Sequence, residues 1–459
     1  MISGGDDAGH EALDAQPPGP PPADTPLRRA RHYGWMLVDP IGVVKQRFDR
    51  YGDIYRVQLG EHDLYVIKHP AHIEQVLVGE GRAFGKGHTA FARLGEVLGD
   101  SLLTSAGDAW RRQRRLVQPA FTAPRLAEYA EAMAEEAAAC ADELSALDDR
   151  VVDLSARMTG LTLRIVTRTL FGQRVDDSPR VARAMSYLNE AFGTPDLFPA
   201  RRRRQVQAAT RDLDAAVFDL IARRKAELER GGAPPGDLLQ RLLDARDDQG
   251  GGRGLSEREI RDQLVTLYLA GHDTTSHALS WTFYLLSQNP EALADLRSEL
   301  QRVLGDRPPR HEDLPQLPYT RQAIQEAMRI YPPVMAIPRR AEREARIGPY
   351  RVPAGSEVII WVYRTHHDPR YYPDPERYLP QRFQDTETDE RPRHAYLPFG
   401  AGQRACIGQL FAMIEAQLIV ATLLQRCEFR YARRRPAGMR LGVTLAPKGG
   451  LPMRVKRRE

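Results

Sequence analysis

The stretch FGAGQRACIGQ, residues 399–409, places Cys406 four residues after Gly402 and two before Gly408, with a cation, Arg404, between. The thiolate, not the thiol, is the metal-binding form of cysteine, and cations or a helix N-terminus favour it. The residues that follow, IGQLFAMIEAQLIVATLLQRC, read as a mostly apolar helix. Its positive end would fall at Cys406, where backbone N–H groups can reach a sulfur anion. Glycines on both sides let the backbone pass close beneath something flat. No second cysteine or histidine lies close by, which argues against zinc and its four ligands. A single thiolate on an iron porphyrin fits.

Working outward, the chain has 459 residues, 42% hydrophobic and 28% charged, with net charge +5 and pI about 9.1. That length suits two or three ordinary domains or one large enzyme. Three cysteines, Cys140, Cys406 and Cys427, cannot make a disulfide framework, so a reducing compartment, the cytoplasm, is expected. The opening MISGGDDAGHEALDAQPPGPPPADTP is acidic and proline-rich, without the apolar core of a signal peptide. It is expected to be a disordered leader over 1–26, followed by a single catalytic domain over 27–459. No run of about 18 apolar residues suggests a membrane anchor, and nothing points to nucleic acid.

Residues 51–70 alternate apolar and polar around Gly-Glu, which predicts a hairpin. Helical patterning dominates from about 108 to 288, broken by the loops GGAPPGD and DDQGGGRGLS. Ser256 and Glu259 form a capping box for a helix expected to run past Trp281. More helices reach to about Tyr331, then short strands such as SEVIIWVY, and LPMRVKRRE reads as a terminal strand. The fold class is α+β, predominantly α-helical, with a small β-rich part.

Phe399, Gly402, Arg404, Cys406 and Gly408 spell Phe-x-x-Gly-x-Arg-x-Cys-x-Gly, and this signature resembles the cytochrome P450 family. Three further motifs in the expected order extend the resemblance from about Tyr51 to the C-terminus. AGHDTT, residues 270–275, lies inside the long helix, where Gly271 costs about 1 kcal/mol against alanine and threonine hydroxyls can bend the rod. The resemblance implies a midway defect that makes room for dioxygen, with Ala270 against the haem and Asp273 and Thr274 as the acid–alcohol pair delivering protons. EAMR sets Glu326 and Arg329 one turn apart, and Arg382 resembles the third member of a structural Glu-Arg-Arg network. WRRQRR puts Trp110 and Arg114 on one helix face, positions that in the family reach the haem propionates; Arg339, or Arg340 in the alternative register, and Arg404 match its other propionate cations.

The resemblance implies a triangular-prism fold with the long helix over haem b. It also implies a monooxygenase that uses O2 to hydroxylate or epoxidise a hydrophobic small molecule: a terpenoid, a fatty acid or a macrolide-type polyketide. Phe91, Phe192, Leu197, Phe198, Leu267, Val334, Met335 and Ile337 are the expected walls of its substrate pocket. No Gly-rich dinucleotide fingerprint is found, so NAD(P)H would act only indirectly, through a ferredoxin and ferredoxin reductase serving a monomer. Arg111, Arg112 and Arg115 are expected to form a basic patch that steers the ferredoxin. A peroxide-using peroxygenase, a non-catalytic haem sensor or carrier, and a helical interaction protein without haem are the alternatives.

Overall fold

The hairpin expected over 51–70 forms: β1 (Ile54–Leu59) and β2 (His62–Ile67) pair antiparallel, with Leu59 opposite His62 across the turn. In front of it lies α1 (Pro40–Tyr51), with Pro at its start and the Asp39 side chain accepting from Gly42 N at 2.9 Å. The computed structural model describes residues 16–22, 25, 34, 38–59, 62–172, 199–232, 236–247, 251–384 and 390–458. Within the leader segment, Pro17 is buried and Pro18 O accepts a hydrogen bond from Arg56 N of β1 at 3.0 Å.

The chain makes two compact units. The first comprises Met1–Arg93, Met335–Glu376 and Thr388–Cys406. After the hairpin come α2 (Pro70–Glu74), a π-turn over Gln75–Gly79 and the short β3 (Phe84–Gly85). Its second segment supplies β5 (Ile337–Ala341), β6 (Ala345–Ile347), β7 (Tyr350–Val352) and β8 (Glu357–Ile360), then α12 (Val362–His366). One five-stranded sheet runs β1-β2-β8-β5-β3, with β2 and β8 parallel; β6 and β7 pair separately. Ile67, Ile73, Val76, Phe84, Val358, Ile360 and Leu397 form its core, each fully buried side chain contributing about 1.5–3 kcal/mol.

The second unit, Leu94–Val334, Arg377–Glu387 and Ile407–Glu459, holds most of the helices. They are α3 (Thr89–Leu98, begun in the first unit), α4 (Gly107–Val117), α5 (Ala123–Ser145), α6 (Leu154–Phe171) and α7 (Pro199–Glu229). Then follow α8 (Leu238–Asp244), α9 (Glu257–Gln288), α10 (Pro290–Leu304), α11 (Pro318–Ile330) and α13 (Gln409–Arg426). β4 (Arg150–Asp153), β12 (Pro452–Arg457) and β9 (Cys427–Tyr431) make a sheet in that order, and β10 (Met439–Leu441) and β11 (Leu445–Pro447) a hairpin. The architecture is the expected α+β fold with helix predominating.

The capping box is present: Ser256 Oγ accepts from Glu259 N at 3.2 Å and Glu259 Oε2 from Ser256 N at 2.8 Å. The helix it starts, α9, runs 32 residues and is buried on every side from Thr275 to Leu286, where the Thr275, Ser280 and Thr282 hydroxyls are satisfied by carbonyls one turn back. Near its start three consecutive side chains tie down the segment after α3. Arg261 Nη1 donates to Val97 O at 2.8 Å, Asp262 Oδ2 accepts from Asp100 N at 2.9 Å, and Gln263 Oε1 from Leu102 N at 3.1 Å. Arg261 also donates to Asp214 of α7 at 2.6 Å.

α9 runs continuously through Gly271. Close packing favours the glycine. A Cβ there would lie 3.1 Å from Val166 Cγ2 of α6, and Thr162 Oγ1 of the same helix donates to His272 O at 2.9 Å. The expected threonine back-bonds form to carbonyls one turn earlier, Thr274 Oγ1 to Ala270 O at 2.8 Å and Thr275 Oγ1 to Gly271 O at 3.1 Å.

Candidate active site

Cys406 ends the first unit on an exposed loop, and its amide donates to Phe399 O at 2.9 Å, closing the loop on itself. Gly408 is the N-cap of α13, so Cys406 lies two residues before that cap. Gly402 has φ +69°, and a Cβ on it would lie 2.0 Å from Leu77 O: the protein's own backbone makes this glycine necessary. The other two thiols are unsuited to ligation. Cys140 and Cys427 are buried, and burial pushes their pKa up, to about 11 for Cys140.

In the same unit as Cys406, two of the expected cations converge with a third that the sequence reading missed. Burial, then Arg339 and Arg404, push the Lys86 ammonium well below the ordinary lysine range. Burial brings Arg339 down to about 10, and its Nη1 donates to Pro338 O at 2.9 Å. Cations driven together in a buried place fit a ligand that carries carboxylates. A lysine between two glycines gives no signal in sequence. Lys86 Nζ also lies 3.9 Å over the Phe91 ring, so this expected wall residue packs against a cation.

The second unit carries the other expected elements. Along α9, Ala270 is exposed and Leu267, Gly271, Asp273 and Thr274 half-buried, in a helix buried before and after. Such an opening fits a flat group laid along the helix. Asp273 Oδ2 accepts from Thr444 Oγ1 of the β10–β11 turn and lies 3.7 Å from His277 Nδ1. Burial lowers the His277 pKa, opposed by Asp273, so its ring is neutral near pH 7. Neither Thr444 nor His277 was singled out from sequence as a partner of Asp273, although His277 follows it by one helical turn. Glu415 of α13 was missed as well. It is fully buried with neither oxygen in a normal hydrogen bond among the described residues, and burial pushes its carboxyl well above the usual range, partly offset by the Thr275 hydroxyl.

The Glu-Arg-Arg network forms, wholly buried at its centre. Arg329 donates to Glu326 Oε2 and Oε1 at 2.7 and 2.8 Å, Arg382 Nε lies 3.3 Å from Glu326 Oε1, and Leu379 N donates to the same oxygen at 3.1 Å. Trp110 is buried and Arg114 half-buried on the same face of α4.

Of the expected basic patch, Arg111 and Arg115 are exposed and Arg112 half-buried, and each has an acidic partner. Arg112 donates to Glu259 at 2.6 Å, Arg115 to Asp247 at 3.2 Å, and Arg111 pairs with Asp108 within α4. Arg112 and Arg115 join α4 to α9 and to the loop before it. Of the remaining wall residues, Leu267 and Val334 belong to the second unit and Met335 and Ile337 to the first. Phe192, Leu197 and Phe198 lie outside the described residues.

The family model described as Cytochrome P450 matches residues 21–451. Cyclooctat-9-en-7-ol 5-monooxygenase of Streptomyces melanosporofaciens is 35% identical over 83% of each chain. Cyclooctatin synthase of the same organism is 36% identical, again over 83% of each. Pentalenene oxygenase of Streptomyces avermitilis is 35% identical, over 82% of this chain and 84% of that one. Among the described residues no helix is long and apolar enough to cross a membrane.

Proposed function

Because the chain belongs to the cytochrome P450 family and is a monooxygenase with haem b, O2 and external redox partners, we propose that it oxygenates a terpenoid alkene or alkenol. The names of its relatives carry this reading: cyclooctat-9-en-7-ol has one hydroxyl, and pentalenene is named as a plain alkene. The apolar character of Leu267, Val334, Met335 and Ile337 supports it, since a substrate with few polar groups is bound mainly by burial.

In this reading Cys406 would hold the haem iron through its thiolate, and Lys86, Arg339, Arg404, Arg114 and Trp110 would hold the propionates. Bound haem supplies the redox and oxygen chemistry, which the thiolate tunes by donating electron density. The chain supplies the protons. At rest the Thr274 hydroxyl donates to Ala270 O, so it must rotate before its proton can go elsewhere. Asp273 is held by Thr444 and must exchange that bond to reload Thr274. The electron donor is a ferredoxin with its reductase in the cytoplasm, supported by a net charge of +5 that suits an acidic carrier.

The test is a spectral titration of the ferric protein with cyclic terpenes, fatty acids and macrolides, then product analysis with ferredoxin, ferredoxin reductase and NADPH. A spin shift and a mono-oxygenated product from a cyclic terpene are expected. A response to fatty acids or macrolides alone would overturn the substrate assignment. First-electron transfer that does not slow as salt rises would overturn the acidic carrier.

A further inference from the structure

The second unit contains a row of oxidisable rings leading away from Thr274. Trp281 follows Thr274 by seven residues, two turns, on the same face of α9 and about 10.5 Å along its axis at roughly 1.5 Å per residue. Its indole is fully buried, and the Tyr331 ring stacks on it at a centroid distance of 3.9 Å and 17° between planes. One turn on, Tyr284 meets Trp281 edge-on at 5.8 Å, and on its other side meets Tyr431 of β9 at 5.1 Å. Trp281 and Tyr284 are buried, whereas Tyr431 reaches solvent.

We propose that Trp281, Tyr284 and Tyr431, with Tyr331 stacked on the indole, form an escape route for oxidising equivalents from the oxygen-activating stretch of α9 to the surface at β9. The route rests on Thr274 marking that stretch. Tryptophan and tyrosine are the side chains that give up one electron most readily, and ring contacts this short let an electron pass between neighbours. The hydrogen bonds set the direction. The indole Nε1–H donates to Leu445 O at 2.9 Å, a carbonyl too weak a base to take the proton. An oxidised Trp281 therefore stays a cation, steadied by the stacked Tyr331, and draws an electron from Tyr284, which keeps its phenol proton because Tyr431 refills it. Tyr431 can complete the transfer because its phenol can release its proton to water.

In each passage Tyr431 loses one electron and one proton and becomes a phenoxyl radical. A thiol or ascorbate in solution returns both. Two electrons with two protons turn one activated oxygen atom into water. The route would discharge oxidising power formed when no substrate is in place, before it attacks the haem or the protein around it. Packing alone does not call for this composition. The neighbouring Phe283–Phe429 pair joins the same two elements at 5.0 Å with no oxidisable ring.

The experiment mixes substrate-free holoenzyme with a peracid and a nitroso spin trap, and locates the adduct by mass spectrometry alongside the radical's paramagnetic resonance. The Soret change on mixing reports activation itself and serves as the control in every variant. Wild type should carry the adduct on Tyr431. Trp281→Phe and Tyr284→Phe should lose it and bleach haem faster, and Tyr431→Phe should move the radical inward to Tyr284 or Trp281. Tyr284→Phe removes only a hydroxyl and keeps the ring packing, so it decides the matter should Trp281→Phe not fold. Phe429→Leu, which loosens the same contact, should keep the adduct. An adduct on Tyr431 undiminished in Tyr284→Phe would overturn the route, as would equal loss in Phe429→Leu.

Discussion

Gly400 and Gly402 offer a matched pair of substitutions in the cysteine loop. Both have φ +69°, so alanine at either costs about 1–2 kcal/mol for the left-handed backbone. They differ in what the new methyl group meets. At Gly400 the nearest group is Ile337 Cδ1 at 3.8 Å, ordinary contact; at Gly402 it is Leu77 O at 2.0 Å, backbone that cannot swing aside. Real Cβ atoms essentially never come within 3.0 Å, so Gly402→Ala must separate the loop from Leu77 by about 1 Å. A functional group needs placing to within about 0.5 Å, and Cys406 lies four residues on. Gly400→Ala should bind a full complement of haem and show the thiolate band of the reduced carbon monoxide complex, melting slightly lower. Gly402→Ala should be deficient in haem and lack that band. If the two variants match in haem content and spectrum, the Leu77 contact does not set the loop.

Cys406→Ser should abolish the thiolate band, while Cys140→Ser and Cys427→Ser, at buried protonated thiols, should keep it. Lys86→Met should speed haem transfer to apomyoglobin by roughly ten- to a hundredfold, from the about 1.5–3 kcal/mol of one lost charge-assisted hydrogen bond, and Lys86→Arg should restore slow transfer. Arg329→Met should cost about 3 kcal/mol, the low end for breaking a buried pair because Arg382 and Leu379 N still serve Glu326, as read from denaturant unfolding. Glu415 keeps its proton in the folded chain but ionises near 4.5 once unfolded, so the wild type loses stability as pH rises from there. Glu415→Gln should melt with wild type in acid and increasingly above it toward alkaline pH; equal melting at every pH would show the carboxyl to be ionised in the fold.

Local features were the legible ones. The capping box, the hairpin and the buried Glu326–Arg329 pair each depend on residues a few positions apart, which spacing alone can bring together. The arginines of α4 show the opposite case. Helical spacing shows that Arg112 and Arg115 project from α4, but not that Asp247 and Glu259, more than 130 residues downstream, pair with them. Lys86, Thr444 and Glu415 are invisible for the same reason: each takes its meaning from a partner on a distant segment. Gly271 was read correctly as an unusual residue in a helix, yet its cause is the approach of Val166, which helix propensity cannot report.

The bond between Pro18 O and Arg56 N bears on how this protein is handled at the bench. β1 is an edge of its sheet, and a bare edge invites pairing with another chain. Proline, which lacks an N–H, makes a poor template for a further strand, so the short segment around Pro18 can cover the edge without offering a new one. Trimming the chain to the 27–459 boundary would remove that cover. The shortened protein would then tend to associate through β1 at high concentration, and a chain that keeps Gln16–Pro22 should stay dispersed.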